Sequence, residues 1–144
     1  MITIEEMQKE DIEAVSLIEE RTFSMPWSPK DFLQMVEAEN ALYLVAKENG
    51  TAIGCCGVRN ILGEGEITNV VIDEPYRGRK ISTAMLLELL KRGEQMGIKS
   101  FTLEVRKSNE AAIHLYEKAG FVTEGIRKNF YEKPREDALI MWKR

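Results

Sequence analysis

Leu103-Glu104-Val105-Arg106-Lys107-Ser108-Asn109 runs directly into Glu110-Ala111-Ala112-Ile113-His114-Leu115-Tyr116-Glu117-Lys118-Ala119-Gly120-Phe121. The first segment alternates in character, so Ile98 to Arg106 reads as a strand. Ser108 or Asn109 caps a helix that runs to Ala119 and stops at Gly120. Ala112, Leu115, Tyr116 and Ala119 follow i, i+3, i+4, i+7 spacing and share one face, which turns Tyr116 inward. Glu104 lies on the strand face opposite Leu103 and Val105. A carboxylate there has two readings: a strand-end ion pair with Arg106, or a chemical role. Tyr116 is an amphipathic core residue or a proton donor. Asn109 is a helix cap, a role compatible with touching a ligand. His114 falls off the Tyr116 face and is read as structurally bland.

Upstream, Ile2 to Glu6 suits a first strand. Asp11 is read as the N-cap of a helix carrying Ile12, Val15 and Ile18 on one side. After a break at Met25-Pro26-Trp27, Ser28 caps a second helix with Pro29 at its first position. Leu42 to Lys47 and Ala52 to Asn60 form a hairpin around the Asn49-Gly50 signal. Gly63-Glu64-Gly65 turns the chain into a third strand, Glu66 to Ile72. The period then changes: Thr83 to Met96 reads as a helix with Leu86, Leu87 and Leu90 on its apolar side, ended by Gly97. Downstream, Phe121 to Ile126 and Ala138 to Trp142 are two strands paired with each other, joined by a polar loop containing Pro134. The order β-α-α-β-β-β-α-β-α-β-β predicts one α+β domain over residues 1–144, a mostly antiparallel mixed sheet flanked by helices.

The composition agrees, with 44% hydrophobic and 31% charged residues in a chain of 144. No run of 18 apolar residues offers a membrane span, and the acidic start, Met1 to Glu6, is unlike a signal peptide. The formal charge of −4 argues against a nucleic-acid binder. Cys55 and Cys56 are neighbours that point to opposite faces of a strand, so they read as small buried hydrophobes in a reducing cytoplasm. With one histidine and no ligand spacing, no metal is expected.

Asp73-Glu74-Pro75-Tyr76-Arg77-Gly78-Arg79-Lys80-Ile81-Ser82-Thr83 joins a strand to a helix. Arg77, Arg79 and Lys80 fall within four positions just before a helix N-terminus, where free N–H groups and the dipole attract anions. A solvated basic loop is one reading and a pyrophosphate site is the other. The Walker A spacing is absent.

These residues resemble the GNAT acetyltransferase superfamily. Val71 to Leu86 resembles its cofactor segment, Arg/Gln-x-x-Gly-x-Gly/Ala, with Arg77 in the first position and Lys80 and Ser82 where glycines are usual. Leu103 to Phe121 is similar to the ribosomal-protein alanine N-acetyltransferases, Leu-Glu-Val-Arg-x-Ser-Asn-x-x-Ala-x-x-Leu-Tyr-x-x-x-Gly-Phe. Phe23 to Ser28, Arg127 to Tyr131 and Arg135 to Ala138 extend the likeness along nearly the whole chain.

The resemblance implies acetyl transfer from acetyl-CoA to a protein N-terminal α-amino group, the alanine of a small-subunit ribosomal protein. It implies Glu104 as general base and Tyr116 as general acid. Val70, Val71 and Ile72 would contact the acetyl-pantetheine arm through their backbone. Arg77 would join Gly78, Arg79, Lys80, Ile81, Ser82 and Thr83 at the phosphates, and Asn109 would touch CoA. Trp27 and Tyr131 would shape the peptide entrance. Two alternatives stay open: a GNAT enzyme acting on lysine, a polyamine or another small amine, and a non-catalytic acetyl-CoA-binding regulator.

Overall fold

In the computed structural model, which describes residues 1–144, Asn49 and Gly50 both take positive φ, 50° and 86°. That is the pattern of a type I′ turn, whose twist matches antiparallel strands. It joins β2 (Ala41–Glu48) to β3 (Thr51–Ile61). β1 (Ile2–Glu6) pairs with the far edge of β2. The next turn is earlier than the glycines suggest: Leu62 and Gly63 carry the positive φ values, 54° and 89°, and β4 spans Glu64–Ile72.

The sheet then changes direction once. α3 (Ile81–Gln95) crosses over to β5 (Ser100–Arg106), which lies parallel to β4. α4 (Glu110–Lys118) follows, and β6 (Val122–Glu132) and β7 (Arg135–Lys143) close the order β1-β2-β3-β4-β5-β7-β6. The α+β class and the mostly antiparallel mixed sheet are as the sequence predicts. The expected polar loop around Pro134 is not. β6 and β7 run on until only Lys133 and Pro134 separate them. Residues 127–132 lack apolar alternation, because β6 is an edge strand held by its ladder to β7 rather than by burial.

Helix starts follow local chemistry. α2 (Pro29–Glu37) opens with a capping box: Asp31 N donates to Ser28 Oγ at 3.2 Å and Ser28 N donates to Asp31 Oδ2 at 2.8 Å. α1 (Ile12–Thr22) is different. Asp11 stands at its N-cap position, but its carboxylate accepts from Gln8 N at 2.9 Å and pairs with Lys47 at 2.9 Å. α3 buries Ile81, Met85, Leu86, Leu89 and Leu90, while Leu87 is 53% exposed. Leu86, Leu89 and Leu90 follow helical spacing, which turns Leu87 out to solvent. Truncating Leu89 to alanine would cost about 2–5 kcal/mol.

The core has two halves. α3 and α4 cover one face of the sheet with Leu44, Cys56, Val58, Leu103, Val105 and Tyr116. α1 and α2 cover the other with Val15, Phe32, Tyr43, Val45, Cys55 and Val71. Cys55 and Cys56 are therefore buried on opposite faces, and both are free. No helix is long and apolar enough to cross a membrane.

Candidate active site

β4 and β5 pair only at Glu64–Ser100, Gly65–Phe101 and Glu66–Thr102. β4 then continues alongside β3, and β5 alongside β7. A bulge lies just past the parting. Val58 on β3 faces Ile67, but Gly57 faces Asn69, so Thr68 is the extra residue. Beyond it, alternation from the Asp73 N–Ile53 O bond turns the backbone of Val71 toward β3, and the β5-facing backbone groups of Val70 and Ile72 have no neighbouring strand. They could pair with an extended ligand. The side chains of Val71 and Ile72 are core, one on each face.

Glu104 sits on β5 beside this gap, with a side chain 29% exposed. Its Oε2 lies 3.2 Å from Arg127 Nε, a charge contact without hydrogen-bond alignment. Burial raises its pKa above the usual carboxylate value, and Arg127 pulls it partly back. The ion pair with Arg106 weighed from the sequence does not form. Arg106 instead pairs with Glu136 at 3.2 Å, donates to Pro134 O at 2.9 Å and lies 4.2 Å over the Tyr131 ring.

Tyr116 approaches from α4 on the opposite face of the sheet and is 8% exposed. Its ring packs edge-on against Phe121, 5.8 Å between centroids. Burial pushes the phenol pKa up, and the thiol of Cys56 and the phenol of Tyr131 add to the shift. Tyr131 is itself raised by burial and by Glu104. It stands within electrostatic reach of both proposed catalytic groups.

The cationic loop is more committed than its sequence suggests. Arg77 Nε donates to Ile72 O at 3.1 Å. Arg79 forms a fork on Glu48, at 3.2 and 3.0 Å. Lys80 adopts the left-handed region, φ 62° and ψ 19°, and no side chain caps α3. Gly78 also has positive φ, 80°. The first helical bond of α3 runs from Ala84 N to Lys80 O at 3.2 Å. The N–H groups of Ile81, Ser82 and Thr83 are thus left at the helix end, with no acid in the first turn to oppose an anion. The Ile81 side chain belongs to the core. Asn109 caps α4, accepting from Ala112 N at 3.2 Å.

On the α1/α2 face, the Trp27 ring stacks on Tyr43 at 5.8 Å and tilts against Phe32 at 5.4 Å. The Ser24 hydroxyl donates to Lys133 O. The α1–α2 connection and the β6–β7 turn therefore meet, three residues before Trp27 and two after Tyr131. No motif points to Glu19, Tyr43 or Thr68, which form a polar network beside the bulge. The available signal was a carboxylate four residues after Val15 on an apolar helix face.

The chain is similar to known acetyltransferases. The model of the acetyltransferase (GNAT) family matches residues 12–121. The [ribosomal protein bS18]-alanine N-acetyltransferase of Escherichia coli (strain K12) is 36% identical over 143 residues, 98% of this chain and 96% of that one. The crystal structure of the ribosomal-protein-S18-alanine N-acetyltransferase from Escherichia coli superposes with TM-score 0.91 at 35% identity, covering 99% of this chain and 93% of that one. A paiA N-acetyltransferase from Thermoplasma acidophilum, in complex with coenzyme A, shares the fold with TM-score 0.83 at 22% identity, covering 100% and 99%.

Proposed function

The chain belongs to the acetyltransferase (GNAT) family, and on that premise we propose that it transfers the acetyl group of acetyl-CoA to a protein N-terminal α-amino group, that of an alanine in a small-subunit ribosomal protein. The carrying observation is the gap between β4 and β5 beyond Glu66–Thr102, flanked by Glu104 on one face and Tyr116 on the other. The E. coli relative, named for alanine of ribosomal protein bS18, supports the choice of acceptor. Two buried, free cysteines are compatible with work in the reducing cytoplasm.

Bound acetyl-CoA supplies the thioester carbonyl that the amine attacks. Val70 to Ile72 hold the pantetheine arm through their backbone, and an N–H beside Val71 polarises the carbonyl. The N–H groups of Lys80 to Thr83, with Gly78, take the phosphates at the start of α3. Arg77 and Arg79 frame that loop through Ile72 O and Glu48. Asn109 offers its amide to CoA while it caps α4.

The amine must be neutral to attack. An α-amino group has a pKa of about 8 against about 10.4 for lysine, so its deprotonation near neutral pH costs about 3 kcal/mol less. Glu104, with its affinity for a proton raised by burial, takes that proton directly or through water. Tyr116 is protonated near neutral pH, as a phenol is, and it delivers a proton to the departing thiolate. Trp27 and Tyr131 shape the path of the peptide.

The test is a peptide panel with free and blocked N-termini, incubated with enzyme and acetyl-CoA and read by mass spectrometry. Acetyl is expected on the free α-amine of alanine peptides. Equal modification of internal lysines in blocked peptides would overturn the acceptor assignment.

A further inference from the structure

The core face of α1 carries a carboxylate that the mechanism above leaves unused. Glu19 is 3% exposed and lies over β4. Its Oε1 accepts from Asn69 Nδ2 at 3.1 Å and from Trp27 N at 3.4 Å, while Oε2 is buried without a hydrogen-bond partner. Asn69 Oδ1 accepts from the Tyr43 hydroxyl at 2.9 Å, and that hydroxyl also meets the Thr68 hydroxyl. Tyr43 is itself held tightly. Its ring fills the space above Gly57, where a Cβ would fall 2.2 Å from the ring, and Trp27 stacks on it.

Such a group is costly. A buried carboxylate with no cation beside it loses several kcal/mol of hydration, and an apolar side chain of the same volume would serve the core better. Its partners point to a different use. Asn69 and Thr68 form the two-residue side of the bulge, immediately past the last β4–β5 pair. Trp27 N belongs to the loop that meets the β6–β7 turn. The series Trp27, Glu19, Asn69, Tyr43, Thr68 thus joins the acceptor flank to the point where β4 leaves β5.

We propose that Glu19 is a positioning residue for acetyl transfer. Through Asn69 and Tyr43 it holds the Thr68 bulge, and with it the backbone of Val70 to Ile72, in the form that receives the acetyl-pantetheine arm. Through Trp27 N it ties the acceptor-side loop to the same frame. Glu19 itself touches neither substrate. The inference rests on the acetyl-CoA reading of the β4–β5 gap.

The test measures acetyl-CoA affinity by calorimetry and kcat/KM with an alanine peptide, on the full chain, for Glu19→Gln, Glu19→Ala, Tyr43→Phe and the Glu19→Ala/Tyr43→Phe double variant. Glu19→Ala is expected to weaken acetyl-CoA binding about tenfold and to lower kcat/KM further. Glu19→Gln keeps an oxygen for both N–H donors and is expected to stay within about threefold of wild type. Tyr43→Phe loses about threefold, and the double variant loses less than the product of the singles, because both break one network. A folded Glu19→Ala protein with wild-type affinity and kcat/KM overturns the inference, as does a Glu19→Gln protein as impaired as Glu19→Ala. If Glu19→Ala does not fold, Tyr43→Phe decides, and unchanged acetyl-CoA affinity there overturns it. Calorimetry needs no acceptor. A wild-type protein that binds acetyl-CoA yet leaves the peptide unmodified therefore overturns the acceptor assignment and not this inference.

Discussion

Arg127 Nε reaches across β7 to within 3.2 Å of Glu104 Oε2. The two largest influences on Glu104 oppose each other: burial favours the neutral acid, Arg127 favours the carboxylate, and burial, with a smaller push from Glu66, prevails. Arg127→Ala removes the lowering influence, so the acid limb of kcat/KM against pH is expected to move to higher pH. Glu104→Gln is expected to lower turnover by about 10²–10⁴-fold, most severely below the pKa of the amine. A pH–rate profile of each variant checks this. A loss that is flat across pH would give Glu104 a positioning role instead.

Tyr116→Phe removes one hydroxyl from a well-packed ring. Acetyl transfer is expected to slow by about 10²-fold with acetyl-CoA affinity largely intact. Single-turnover kinetics beside calorimetry separate the two quantities. Turnover equal to wild type would remove Tyr116 from the acid role.

Lys80 occupies a left-handed conformation, φ 62°, that costs a side-chain-bearing residue about 1–2 kcal/mol. Lys80→Gly is expected to raise stability by somewhat less, about 0.5–1 kcal/mol, since glycine also loosens the unfolded chain. Because the α3 N–H donors remain, acetyl-CoA affinity should change by less than about threefold. Thermal melts and calorimetry report both. A larger drop in affinity would give the Lys80 ammonium a direct part in holding phosphate.

Glu19 has its pKa raised from 4.5 to about 7, chiefly by burial, against the hydrogen bonds from Trp27 and Asn69 that lower it. Between those values the folded chain keeps a proton that the unfolded chain has released. Stability therefore falls as pH rises through this window, by up to about 1.4 kcal/mol per pH unit from this group, and the slope ends above the folded pKa. Glu104 acts in the same sense. Glu48, held low by the Arg79 fork, acts in the opposite sense, and its contribution is lost only as pH falls through its lowered pKa. Denaturation at pH 5 to 8 should show a shallower decline for Glu19→Gln than for wild type. Parallel slopes would contradict the titration of Glu19 in this range.

Most of the fold was legible because its signals are local. The Asn49-Gly50 turn, the Ser28–Asp31 capping box and the spacing of Ala112, Leu115, Tyr116 and Ala119 each lie within a few residues. The errors arose where local pattern and tertiary pairing diverge. β6 after Ile126 carries charge rather than alternation, and its pairing with β7, broken by a bulge after Arg127 and resumed at Tyr131, holds it as strand. Leu87 has the composition of a core residue, but its angle on α3 faces water.

Sequence alone determined that Glu104 would sit on a strand face opposite Leu103 and Val105, that Tyr116 would point inward, and that cations would precede the α3 N-terminus. These follow from periodicities of two and 3.6 residues and from a string shared with a known family. Tertiary structure alone decided the partners. Glu104 meets Arg127 rather than the nearby Arg106, Arg79 is engaged by Glu48, and Glu19 reaches Asn69, 50 residues away. It also decided that β4 would leave β5 after Glu66 and bulge at Thr68. Pairings between distant segments depend on which strands become neighbours and in what register, and no local period encodes that.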